Sequence, residues 1–272
     1  MKMNRIFTLL LILLFNSVYA QNKANEDLMH DGINLREKGR YNKAIRTFEK
    51  AMVNSDNHLI YYHHALTCFR KNKIDKAYNS AIKALTINPL HTDSHLILSK
   101  IMIRKESRLK AMLPLYFFLI LEFDSKRASD ARQDLQNLTN NSFSDTPDQT
   151  TNITIRMDKE DTGFITAEMM MLDYRNSLAY AKNDFSEMEL FIKYSNQLFN
   201  TLWNIKSDSG FWWEFYIPFF HEMAHSGYVK PFCHHISVSV YDESISWLEE
   251  NQEENLKFTT WLSSQLDQAG KP

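Results

Sequence analysis

Gly39-Arg40-Tyr41-Asn42-Lys43-Ala44-Ile45-Arg46-Thr47-Phe48-Glu49-Lys50-Ala51-Met52 is the stretch that decides the fold. Tyr41, Ala44, Phe48 and Ala51 recur at spacings of three and four. On a helix that spacing puts large, small, large and small side chains on one face. A small residue between two aromatics lets a neighbouring helix approach closely, and Gly39 suits the turn before it. The register returns downstream. Gly39, Tyr41, Ala44, Phe48 and Ala51 become Asn72, Ile74, Ala77, Ala81 and Ala84, then Glu106, Arg108, Ala111, Leu115 and Phe118. The steps from Ala44 to Ala77 to Ala111 are 33 and 34 residues. A fixed period of this size predicts stacked supersecondary units, here pairs of helices.

Over roughly residues 25–125 the chain resembles the tetratricopeptide repeat (TPR) family. Gly32, Ala65 and Ser99 match the small residue late in that family's first helix, and Pro89 matches the proline after its second. Asp56 and Phe123 stand where the other two repeats would carry that proline. The resemblance implies a right-handed superhelix of helix pairs and a protein-binding role, and implies no reaction.

Residues 1–20 read as a cleaved signal peptide. Lys2 and Arg5 form a basic head, Ile6 to Phe15 is apolar except for Thr8, and Val18-Tyr19-Ala20 ends in the small-x-small manner of a signal-peptidase site. The apolar run is too short to span a bilayer, which takes about 20 residues. The expectation is an exported protein, periplasmic or secreted, with no stable membrane insertion after cleavage. The leader holds two of the 31 basic residues and none of the 33 acidic ones, so the remainder carries a net charge of −4. That balance excludes a basic nucleic-acid surface. With only six glycines and six prolines, an all-β fold is disfavoured. Cys68 and Cys233 are the only cysteines. They read either as a pair in an oxidising compartment or as buried small hydrophobes.

The expected organisation is a signal peptide at 1–20, a TPR array at 21–139, a linker at 140–161 and C-terminal helical hairpins with a cap at 162–272. Residues 140–151 are almost all Asn, Ser, Thr, Asp and Gln, and Asn152 to Met157 alternates as one short extended segment or loop. Pro114 is expected to kink or delay its helix. The run Met112 to Leu121 is apolar except for Tyr116, so it predicts a helix buried on several sides where the array meets the C-terminal half. Farther on, Phe211 to His225 and Tyr228 to Tyr241 read as a hairpin around Gly227, which fits a left-handed helix cap. Helices at Ser244 to Asn251 and Asn255 to Leu266 close the chain.

By register, the groove of the array is lined by Met29 and Ile33, by Tyr62, Leu66, Phe69 and Arg70, and by Leu96, Lys100, Ile103 and Arg104. Tyr62, Phe69, Arg70, Lys100 and Arg104 are the candidate partner-binding residues. An aromatic floor beside these cations suits an extended or helical peptide with an acidic group. The dense aromatic run Phe211, Trp212, Trp213, Phe215, Tyr216, Phe219 and Phe220 faces nearly every direction on a helix and reads as core.

His221-Glu222-Met223-Ala224-His225 spells H-E-x-x-H. Two histidines at i and i+4 can hold Zn²⁺ while the glutamate activates its water. A third ligand is then required, with His234, His235, Glu243 or Glu249 as candidates. His234 is favoured if the hairpin around Gly227 brings it back level with His221. Tyr228 and Pro231 stand where an extended zinc-peptidase motif places Gly and His, and His221 and His225 also read as two histidines near a helix C-terminus, whose dipole favours cationic rings. The expectation is therefore a non-catalytic, all-α, exported interaction protein without a cofactor. A zinc hydrolase with a TPR targeting half, and an envelope assembly scaffold, stand as the alternatives.

Overall fold

The structure is a computed structural model that describes residues 21–140, 162–180, 184–206 and 209–270. The leader, nearly all of the expected linker and the Asn152 to Met157 segment lie outside the described residues. Helix α1 covers 21–37, and is followed by α2 (Tyr41–Ala51), α3 (His58–Arg70), α4 (Ile74–Ile87), α5 (Thr92–Arg104), α6 (Arg108–Leu121) and α7 (Lys126–Asn140). Then come α8 (Thr162–Tyr180), α9 (Glu187–Asn204), a π-helical turn (Trp212–Tyr216), α10 (Ile217–His225), α11 (Val229–His235), α12 (Asp242–Glu250) and α13 (Gln252–Ala269). The protein is all-α, built of helical hairpins, and no strand occurs among the described residues. No described helix is long and apolar enough to cross a membrane.

Among the described residues one turn is used four times. Gly39, Asn72 and Glu106, the three residues aligned by the repeat register, all have positive φ, at 70°, 59° and 57°. Around each, the next residue's N–H reaches back five positions: Arg40 to the Leu35 carbonyl at 2.8 Å, Lys73 to Cys68 at 2.8 Å and Ser107 to Met102 at 3.0 Å. The fourth copy lies at Gly227 (φ 78°), where Tyr228 N–H bonds the Met223 carbonyl at 3.0 Å. This is a left-handed helix cap that satisfies otherwise orphaned carbonyls. Glycine adopts it freely and asparagine readily, whereas Glu106 holds it at a steric cost.

The described chain forms two compact units, one ending at Asn88 and the other beginning at Pro89. In the first, Ala44, Phe48, Ala51 and Ile60 are fully buried, and Met29 joins them. Met29, expected in the groove, is thus a core residue: on α1 it turns toward the α2 face that Phe48 presents. Gly32 shows why a small residue is needed on α1. A Cβ there would stand 2.6 Å from the Phe48 ring. In an open helix interior Gly→Ala gains close to 1 kcal/mol. Here Gly32→Ala is expected to cost about 1–3 kcal/mol through overpacking, measured as a lower urea midpoint. A midpoint raised by the substitution would show that the close approach of α1 and α2 is not limiting.

The second unit is organised around α6. Every residue from Ala111 to Ile120 is buried, as expected for a helix that is apolar all round. Tyr116 lies among Phe191, Phe199, Phe220 and Phe232, with ring centroids 5.3–6.1 Å away, and its hydroxyl pairs with Ser195 Oγ at 2.8 Å. Phe117 meets Phe215 and Phe219, each at 5.0 Å. The third hairpin and the C-terminal helices therefore share one core. Pro114 sits inside α6, which runs unbroken from Arg108 to Leu121, so the helix neither ends nor begins late there.

The aromatic run is core: Trp212, Trp213, Tyr216, Phe219 and Phe220 are all buried. The first half of the helix expected from Phe211 is wound as a π turn, and Pro218 falls in the first turn of α10, where its missing N–H is harmless. Helix α11 ends at His235 rather than continuing to Tyr241. Residues 236–240, Ile-Ser-Val-Ser-Val, form turns instead. β-Branched residues and serines favour helix weakly, and Ser237 Oγ accepts a bond from the buried Arg132 at 2.9 Å. Helix α9 opens with a capping box, in which Ser186 and Glu189 bond each other's backbone N–H.

Candidate partner-binding face

Helix α3 has two faces. Ile60, His64, Ala65, Thr67 and Cys68 are buried. Tyr62, Leu66 and Phe69 are half-buried and Arg70 is exposed, a stripe at spacings of three and four on the other side. Arg36 of α1, which sequence reasoning did not single out, joins this stripe. Its Nη1 donates to His63 Nδ1 at 3.1 Å, which leaves the ring proton of neutral His63 on Nε2. The His63 ring in turn lies 5.0 Å from Tyr62 and 6.1 Å from Phe48. Burial holds the Arg36 pKa below its ordinary value, and the nearby Arg70 guanidinium adds to the effect. Tyr62, Glu37 and Tyr41 act in the opposite direction. Two guanidinium groups from successive first helices thus share a surface with aromatic rings. An oxyanion relieves that like-charge crowding, and arginine's planar fork suits a carboxylate.

The five expected binding residues divide between the two units. Tyr62, Phe69 and Arg70 are on α3. Lys100 and Arg104, both exposed, are on α5 beside Ile103, also exposed. Lys100 acts electrostatically on Asp134 of α7, whose carboxyl pKa is raised by burial first of all. Lys100 therefore has an acidic neighbour within its own unit. The signal for Arg36 was available in its position one turn beyond Gly32, next to the first hairpin turn. Its role depends on the crossing of α1 and α3, which brings Arg36 against His63.

Two other groupings bear on chemistry. Cys68 Sγ lies 3.4 Å from His64 Nε2, and His64 Nδ1 lies 2.7 Å from Ser80 Oγ. Burial pushes the Cys68 thiol up to about 11 and His64 down to about 4. The pair therefore stands as thiol and neutral imidazole, without the thiolate a nucleophile needs. Cys233 is also buried, its thiol pushed up to about 12 by burial, and neither cysteine is in a disulfide. On α10, His221 stacks on Trp203 with centroids 4.1 Å apart and planes 3° apart, and His225 lies 6.0 Å from it. His234, the favoured third ligand, instead stacks on Trp247 of α12 at 4.3 Å, where α12 packs against α11. Among the described residues no three His, Cys, Asp or Glu side chains converge as a metal-ligand set. No protein-family model, curated protein or solved structure matches the chain.

Proposed function

We propose that this is a non-catalytic, exported protein-interaction module of TPR type, which binds an acidic peptide segment of a partner on the α1–α3 face. The observation that carries the reading is the arrangement of Arg36, His63 and Arg70 beside Tyr62 and Phe69. It supplies positive charge, flat apolar surface and a fixed guanidinium in one place. The hairpin turn repeated at Gly39, Asn72 and Glu106 supports the repeat assignment, and the sequence of residues 1–20 supports export. The H-E-x-x-H motif favours no second, hydrolytic reading, since among the described residues no third ligand joins His221 and His225.

Arg70 is exposed, so its reversal is expected to change stability by less than about 0.5 kcal/mol. A charge-assisted bond is worth about 1.5–3 kcal/mol, so Arg70→Glu is expected to weaken partner binding about tenfold or more. Lys83 is exposed on α4, and Lys83→Glu is the matched control. The check is affinity capture from envelope extracts followed by mass spectrometry. Proteins held by the wild type and by Lys83→Glu should be depleted with Arg70→Glu at unchanged helicity. Identical capture by all three would remove this face from the interaction.

A further inference from the structure

We propose that His221 and His225 form a surface site for one exchangeable divalent transition-metal ion of the Ni²⁺–Cu²⁺–Zn²⁺ series, held through two imidazole nitrogens. The two residues sit at i and i+4 near the end of α10, on one helix face. His221 is pre-oriented by its stack on Trp203 of α9. Its Nδ1 is buried without a hydrogen-bond partner, which leaves Nε2 as the nitrogen open to solvent. His225 is exposed and free to rotate toward it.

The geometry needs one small movement. A metal about 2.0 Å from each Nε2, with a tetrahedral or right angle between them, sets ring centroids roughly 4.5–5 Å apart. The observed separation is 6.0 Å, and a side-chain rotation at His225 closes the difference. Two imidazoles without a carboxylate set favour borderline transition ions over Mg²⁺ or Ca²⁺, with Cu²⁺ bound most tightly. Water must complete the coordination sphere, since no third ligand is present among the described residues. Binding is therefore reversible on dialysis, which separates this site from a closed structural or a three-ligand catalytic one.

Titration of the full chain with CuCl₂ at pH 7.5 tests the site, read by calorimetry and by tryptophan fluorescence. The expected result is one Cu²⁺ per chain at this site, bound more tightly than Ni²⁺ or Zn²⁺, removed by dialysis, and quenching Trp203. His221→Ala and His225→Ala should each weaken that binding at least tenfold, whereas His30→Ala should not. His225 is exposed, so its variant keeps the fold even where loss of the Trp203 stack perturbs His221→Ala. Trp203→Phe should lose the quenching and keep the calorimetric binding. Unchanged binding in either histidine variant, or loss in one alone, overturns the proposal. One equivalent of zinc surviving dialysis also overturns it, because that requires a third ligand.

Discussion

A chain cut after Asn140 is expected to lose the folded third hairpin, with aggregation or a melting temperature far below that of the full protein. Helix α6 is the reason. Tyr116 and Phe117 are fully buried, and the phenylalanine rings packed on them, from Phe191 to Phe232, all come from beyond residue 140. Exposing two such side chains forfeits about 3–6 kcal/mol, before the orphaned Tyr116 hydroxyl is counted. A whole domain is commonly stable by only about 5–15 kcal/mol. The measurement is light scattering together with thermal circular dichroism on the cut and full chains. A monomeric fragment that melts with the full protein would show that the α6 surface is covered some other way.

The hairpins were legible because they rest on local rules. Ala44, Ala77 and Ala111, picked for their 33- and 34-residue spacing, are all fully buried, and the residues aligned with Gly39 all take left-handed backbone. Even Glu106, which nothing in its side chain recommends, is placed there by the register. Gly227 was legible by the same chemistry. What could not be read was which long-range partner each apolar face would find. The run Met112 to Leu121 announced burial on several sides, but not that the compact units would divide at Asn88, before the third hairpin. Nor did periodicity foresee the π turn at Trp212, since aromatics at every position satisfy any helical pitch.

The candidate site was half legible. Tyr62, Phe69 and Arg70 follow from helical spacing on α3 alone. Arg36 and His63 needed the crossing of α1 and α3, which sets a guanidinium opposite an imidazole 27 positions away. The reverse error befell Met29, whose register position faces both groove and core. At His221 the motif correctly put two imidazoles on one face, but the third ligand depended on the hairpin around Gly227 bringing His234 back level with His221. Helix α11 instead presents His234 to Trp247 of α12.

Acid should begin to destabilise the second unit well above the pH at which ordinary carboxylates titrate, through His95. This residue is fully buried between α6 and the π turn. Its Nε2–H donates to the Pro89 carbonyl at 2.7 Å, so Nδ1 must accept from the Tyr216 hydroxyl, also at 2.7 Å. Protonation would put a second donor against that hydroxyl in an apolar site. Burial accordingly pushes the His95 pKa from 6.5 down to about 3. The unfolded chain, with an ordinary histidine, takes up its proton below about pH 6.5. The stability contributed by neutral His95 is therefore complete above that pH and is lost progressively as pH falls toward 3. The full loss is on the order of 5 kcal/mol, a large share of a domain's stability. His234 and His235, each pushed by burial to about 4, add to it in the same direction. Urea midpoints at pH 7.5, 6, 5 and 4 should fall steeply, and His95→Gln, whose amide keeps a donor and an acceptor but does not titrate, should flatten part of that slope whatever its starting stability. The His95 ring-proton NMR signal gives the direct reading. If it titrates near pH 6.5 in the folded protein, or if the two pH slopes coincide, His95 is not what makes this unit sensitive to acid.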